Sequence, residues 1–196
     1  MNSLPYMPKE RNENMGCNIL KNEVCRIPKE TKKLLVRVDM ETNKIVDFIC
    51  YMVNNYKKVS DTICYQNLLG HGIKMSDTET EIHIELNKIQ PNIRCMLFAL
   101  SIFEPQAELS SLGKKGDFIS QENIIFHIYD EDTKKEICHF VPNNKENTTG
   151  IYLGNLEKTY STWNFRAVEE SINGDIVGIR NTITNLKHLS QYINRK

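Results

Sequence analysis

From Lys33 onward the pattern of apolar and polar positions is that of short β-rich segments separated by polar turns, some alternating and some continuously apolar. The segments "KLLVRVD", "KIVDFICYMV", "DTICYQ", "TEIHIEL", "RCMLFALSIF", "NIIFHIYD", "KEICHFV", "GIYLGNLEK" and "TWNFRAV" have the period and length of β-strands. Hairpin chemistry joins several of them. "VNNYKKV" carries an Asn pair that tolerates left-handed dihedrals, and "YDEDTKKEI" packs charge between two alternating segments. About nine strands at this spacing predict an all-β fold of two packed antiparallel sheets, a β-sandwich.

The two ends of the chain have a different texture. Ile176, Ile179, Ile183, Leu186, Leu189 and Tyr192 recur at helical spacing, which predicts a C-terminal helix over 174–193. Asn173 or Asp175 suits its start, and Lys187, Arg195 and Lys196 suit its negative end. Residues 1–32 are rich in Asn, Glu, Lys and Pro and show no sustained period, so they read as a flexible or loosely docked arm. Its anchors are Leu4, Tyr6, Met15, Ile19, Leu20 and Val24. The sandwich domain is therefore drawn over 33–196.

A chain of 196 residues accommodates one full hydrophobic core. Its 25 basic and 25 acidic residues balance, so no global field draws it to nucleic acid or to an anionic membrane. No apolar run reaches the roughly 20 residues that span a bilayer. The start lacks the apolar or Arg-rich pattern of a targeting segment, which makes a cytoplasmic location the expectation. The six cysteines, Cys17, Cys25, Cys50, Cys64, Cys95 and Cys138, show no CxxC or paired zinc spacing and are expected to be reduced, mostly as small core hydrophobes.

Candidate chemistry is sparse. The serines have no G-x-S-x-G context and the glycines form no phosphate-binding loop. His83, His127 and His139 alternate with apolar residues, which puts each on the solvent face of a strand, and no spacing predicts a clustered histidine–carboxylate pair. The chain is accordingly expected not to be an enzyme. A hard cation is the remaining option, because Asp47, Asn67, Asp77, Glu79, Glu104 and Asn123 fall at strand edges or in loops that a sandwich can gather at one end.

The order of segments resembles that of the TerD family of tellurium-resistance and stress proteins. "VDFICYMVNNYKKVSDTICYQN" is similar to the run from the family's D-L-D-A-S strand through D-x-N-G-K-V to D-F-V-F-Y-N. "TEIHIELNKIQPNIRCMLFALSIFEPQAE" follows its E-T-I-x-V-D-L-x-x-V-P, buried strand and I-H-E-A. "FISQENIIFHIYDEDTKKEICHF" and "GIYLGNLEKTYSTWNFRAVEES" follow its next strand pair and its closing hairpin. The likeness runs collinearly from about Leu34 to Ile179.

That resemblance implies a β-sandwich with calcium sites at one end and no established reaction. It matches Asp47 to the second acid of D-L-D, with Ile45 in place of the first. Glu104 corresponds to the acid of H-E-A and Asn123 to the Asn of the following strand. The family's long acidic loop is here the shorter "NLLGHGIKMSDTET", in which Asp77 and Glu79 are the surviving acids. Fewer carboxylates mean weaker calcium binding. The expectation is a non-enzymatic stress-response binding or scaffold domain, working with protein partners or at a membrane-associated complex, with at most a weakened calcium site. The alternative is a structural or protein-interaction module that has lost calcium altogether.

Overall fold

The computed structural model describes residues 16–41, 45–102, 123–143, 148–160, 162–172 and 176–184. In chain order the strands are β1 (Cys17–Ile19), β2 (Val24–Arg26), β3 (Lys33–Met40), β4 (Val46–Asn54), β5 (Val59–Ile63), β6 (Leu69–Gly70) and β7 (Ile73–Met75). They continue as β8 (Glu81–Glu85), β9 (Ile93–Ile102), β10 (Ile124–Asp130), β11 (Glu136–Phe140), β12 (Gly150–Thr159) and β13 (Thr162–Ile172), before the helix α1 (Ile176–Thr184). Every predicted strand segment overlaps one of these strands, the poorest match being "DTICYQ", of which only Asp61–Ile63 fall in β5. The short pieces β1, β2, β6 and β7 add to them.

The strands form two sheets, one ordered β1-β11-β10-β3-β8-β7-β6 and the other β2-β13-β12-β9-β4-β5. Neighbours pair antiparallel except β1 on β11, which is parallel. In β3 the alternation is complete: Leu34, Val36 and Val38 are buried between the sheets, and the residues between them face outward. Phe48, Phe98, Phe126 and Phe165 meet in that interior, with Phe126 stacked on Phe165 at 4.9 Å and Phe98 tilted against Phe126 at 5.4 Å.

Strands β4 and β9 behave otherwise. Nearly every residue in them is buried, because the outer face of their sheet carries a second apolar cluster of Ile49, Tyr51, Val53, Leu97, Ala99, Tyr152 and Ile172. α1 lies on this face, where Ile179 is fully buried and the Tyr51 hydroxyl donates to the Ile176 carbonyl at 2.7 Å. Gly150 permits the approach, since a Cβ there would meet Ile179 Cδ1 at 2.7 Å. The predicted helix over 174–193 is seen for Ile176–Thr184; its predicted caps and its basic end lie outside the described residues.

Within the segment drawn as an arm over 1–32, the described part carries two short edge strands. β1 pairs with β11 through Cys17–Cys138, Asn18–His139 and Ile19–Phe140, and β2 pairs with β13. Residues 1–15 lie outside the described residues. A three-residue strand shows too little of a two-residue period to register in sequence, and the hydrogen bonds that hold it come from partners more than a hundred residues away.

The stacked aromatic interior sets the expected cost of opening it. Phe126→Ala removes a fully buried ring and is expected to lower unfolding free energy by about 3–5 kcal/mol, read from the midpoint shift in urea denaturation; a change below about 1 kcal/mol would contradict the packing described.

Candidate functional site

Register brings one set of loops to a common end of the sandwich. Val46 of β4 pairs with Ile102 of β9, Met40 of β3 with Ile124 of β10, and the Val38 N–H donates to the Thr80 carbonyl at 3.0 Å. The start of β4, the β7–β8 turn and the start of β10 therefore lie together. Asp47 stands here on β4 opposite Ser101, only 6% exposed. Among the described residues no donor reaches its carboxylate. Burial, together with the charge of Glu79, pushes the Asp47 carboxyl up to about 6.

Glu79 belongs to a tight turn. The Ser76 N–H donates to the Glu81 carbonyl at 2.9 Å and the Glu79 N–H to the Ser76 carbonyl at 3.0 Å, with Glu79 in the left-handed region at φ 59°. The hydroxyls of Ser76, Thr78 and Thr80 link along the turn at 2.8 and 3.2 Å. These bonds run the length of the turn. Asp77 and Glu79 are both exposed on it, and Asn123 is exposed just before β10.

The six predicted ligands thus separate. Asp47 and Glu79 are brought within electrostatic reach, and Asp77 and Asn123 share their end of the sandwich. Asn67 is engaged elsewhere, its amide nitrogen donating to Asp61 Oδ1 at 3.0 Å and to the Thr62 carbonyl at 2.8 Å. Glu104 lies outside the described residues. Among the described residues no group of three or more His, Cys, Asp or Glu side chains is arranged to hold a metal ion.

Another constellation escaped sequence reasoning. His127, His139 and Arg37 are register neighbours on the outer face of the seven-stranded sheet. Glu136 accepts from His127 Nδ1 at 2.6 Å and from His139 Nδ1 at 3.1 Å, while His127 Nε2 lies 3.3 Å from Asp39. Arg37 binds Asp39 at 2.9 Å and stands over the Tyr129 ring at 5.3 Å. Glu136 Oε2, the oxygen that accepts from His139, also accepts the Gly16 N–H at 3.1 Å and so anchors the chain at the start of β1. Gly16 has to be glycine for this contact, since a Cβ would fall 2.6 Å from Glu136 Cγ. Burial would raise the Glu136 carboxyl, but the bonds and charges of the two imidazoles together outweigh it and hold the group below its ordinary value.

The histidines are on the outer face, as alternation predicts, yet they are not solvated surface residues. His127 and Glu136 keep only 13% and 12% of their side chains exposed. Alternation gives the face of a residue, whereas this cluster depends on cross-strand register. His83 is similarly tied to Glu131 at 2.8 Å, beside an open groove of about 440 Å³ lined in part by Lys33, Leu69, Ile73 and Lys74. The groove lining carries Lys33, Lys74 and Lys88 together with Glu85 and Glu131.

Comparison with known proteins agrees with this architecture. The model of the TerD domain family matches residues 15–182. A solved homologue of telluride resistance protein (TerD), SCO6318 from Streptomyces coelicolor A3(2), superposes with a TM-score of 0.60 at 13% identity, covering 79% of this chain and 98% of that one. SAV2460, a solved protein of unknown function, superposes at 0.58 with 11% identity, covering 80% of this chain and 99% of that one. At these identities the likeness to the two structures is one of fold.

The Glu136 cluster yields a prediction for stability. Glu136→Ala strands two imidazole donors and the Gly16 N–H, with an expected loss of about 2–3 kcal/mol at neutral pH. Because the carboxyl is held low in the folded state, this advantage is present above the ordinary glutamate range and fades as pH falls through it. Denaturation of wild type and variant across pH checks it: the two curves should converge in acid, and a constant gap would refute the assignment.

Proposed function

Because the chain belongs to the TerD domain family, we propose that it is a non-enzymatic stress-response module that binds protein partners and retains one weakened calcium site at the Asp47 end. The observation that carries this reading is the Asp47 carboxylate, buried at a loop-bearing end, without a described donor and facing the charge of Glu79. A buried carboxylate pushed up by desolvation and by a neighbouring negative charge is relieved by a bound cation, since its charge replaces that repulsion with attraction.

The residues fit such an ion only in part. Asp47 and Glu79 would supply carboxylate oxygens, with Asp77 and Asn123 as further oxygen donors at the same end. Calcium asks for about six to eight oxygens, and its affinity falls with ligand charge. With Asn67 committed to Asp61, and several acids of the family's loop replaced, binding is expected to be weak. Calcium there would tie the β7–β8 turn to the start of β4, so its contribution is to order a surface.

Absence of catalysis is likewise part of this proposal. The observed histidine–carboxylate contacts are supported as structural by their role in anchoring β1, and among the described residues no helix is long and apolar enough to cross a membrane. The second reading, an interaction module free of metal, is favoured by the lack of a three-carboxylate or mixed ligand group among the described residues.

Asp47→Asn separates these readings. The carboxyl raised to about 6 costs stability above that pH, and the cost disappears below the ordinary aspartate range, where both folded and unfolded forms are protonated. Without calcium the variant should therefore be more stable than wild type at pH 7.5 by on the order of 1–2 kcal/mol after screening at the strand end, with no gain near pH 3. Calorimetric titration with calcium should give heat and a raised melting temperature in wild type only. No heat and no melting shift in wild type would leave the metal-free module as the correct reading.

A further inference from the structure

The edge strands β1 and β2 belong to opposite sheets, and three thiols gather where they meet. Cys17 on β1 is the register partner of Cys138 on β11, so both side chains lie on one face of the seven-stranded sheet. Cys138 is buried in the interior, and Cys25 enters the same interior from β2 of the six-stranded sheet. The Sγ atoms of Cys17 and Cys25 are 4.0 Å apart, and Cys25 also contacts the Cys138 thiol. Cys17 is exposed, whereas Cys25 and Cys138 are buried. The turn joining the two strands is closed by the Glu23 N–H donating to the Leu20 carbonyl at 2.9 Å.

We propose that Cys17 and Cys25 form a reversible disulfide between the two sheet edges, with a low-molecular-weight disulfide as oxidant. Access and geometry set the order of events. The exposed Cys17 thiolate attacks the small disulfide, forming a Cys17 mixed disulfide and releasing one small thiolate. The Cys25 thiolate then attacks Cys17 Sγ, forming the Cys17–Cys25 bond and expelling the second small thiolate. Two protein thiols are oxidised, one small disulfide is reduced to two thiols, and the two protons released by the cysteines accompany those products.

The environment suits these roles. The contacts from Cys138 and Cys17 outweigh burial and lower the Cys25 thiol to about 7, which favours it as the internal attacking sulfur. Burial raises the Cys17 thiol, yet it is the sulfur that a solute reaches. A bond length near 2.05 Å requires the two sulfurs to close by roughly 2 Å, within reach of side-chain rotation on two short edge strands. The bond would staple one sheet edge to the other through a nine-residue loop, 17–25.

The test is to equilibrate the full chain in a glutathione redox series, quench in acid, alkylate, and map tryptic peptides without reduction. Cleavage after Arg11, Lys21 and Arg26 places the two cysteines in separate peptides, 12–21 and 22–26. Under oxidising conditions alkylatable thiols should fall from six to four, with these two peptides linked, and added reductant should restore all six. Cys25→Ser should instead accumulate glutathione on Cys17, and Cys138→Ala should leave the link intact. A link from Cys25 to Cys138, a persistent Cys17 adduct in wild type, or six thiols at every potential would each overturn the proposal.

Discussion

Strands β4 and β9, neighbours in the six-stranded sheet, have almost no solvent face, and much of the molecule follows from that. A strand buried on both sides must be covered twice, on one side by the opposing sheet and on the other by a further layer. For β4 and β9 the first cover is the phenylalanine-rich interior and the second includes α1, seated on Ile49, Tyr51 and Tyr152. The same demand reaches the end of the strand. Asp47 lies on the covered face one residue from the start of β4, so the layer that hides Ile49 and Tyr51 also deprives a carboxylate of water.

That origin explains why the fold was legible in the chain and the site only in part. Alternation in "KLLVRVD" and "NIIFHIYD" reports half-buried strands directly, and the uninterrupted apolar runs "DFICYMV" and "CMLFALSI" report strands buried on both faces. β1, β2, β6 and β7 are two or three residues long, shorter than any period that can be recognised. Their existence depends on partners supplied by tertiary structure. Asp47 is read as an acid at a strand edge and again through resemblance to a family, but a lone acid in an apolar run carries no periodic signal of its burial.

The histidine cluster shows the same limit in another form. Sequence places His127 and His139 on an outward face, but their shared acceptor depends on the β10–β11 register and on its irregularity between Ile128 and Tyr129. Asn67 illustrates the converse. Its type and position suited a ligand, yet its amide closes the local turn through Asp61 and Thr62. Side-chain amides near turns have local backbone partners that compete with any distant role.

The parallel pairing of β1 on β11 bears on how this chain is made. The Gly16–Glu136 bond spans 120 positions, and β2 finds its partner only in β13. During synthesis β1 and β2, though early in this chain, are thus among the last strands to be paired, β1 waiting for β11 and β2 for β13. Such long-range closure is entropically expensive and slow compared with hairpin formation. The interval before β11 and β13 arrive is therefore the period in which the nascent chain depends most on being shielded from its neighbours.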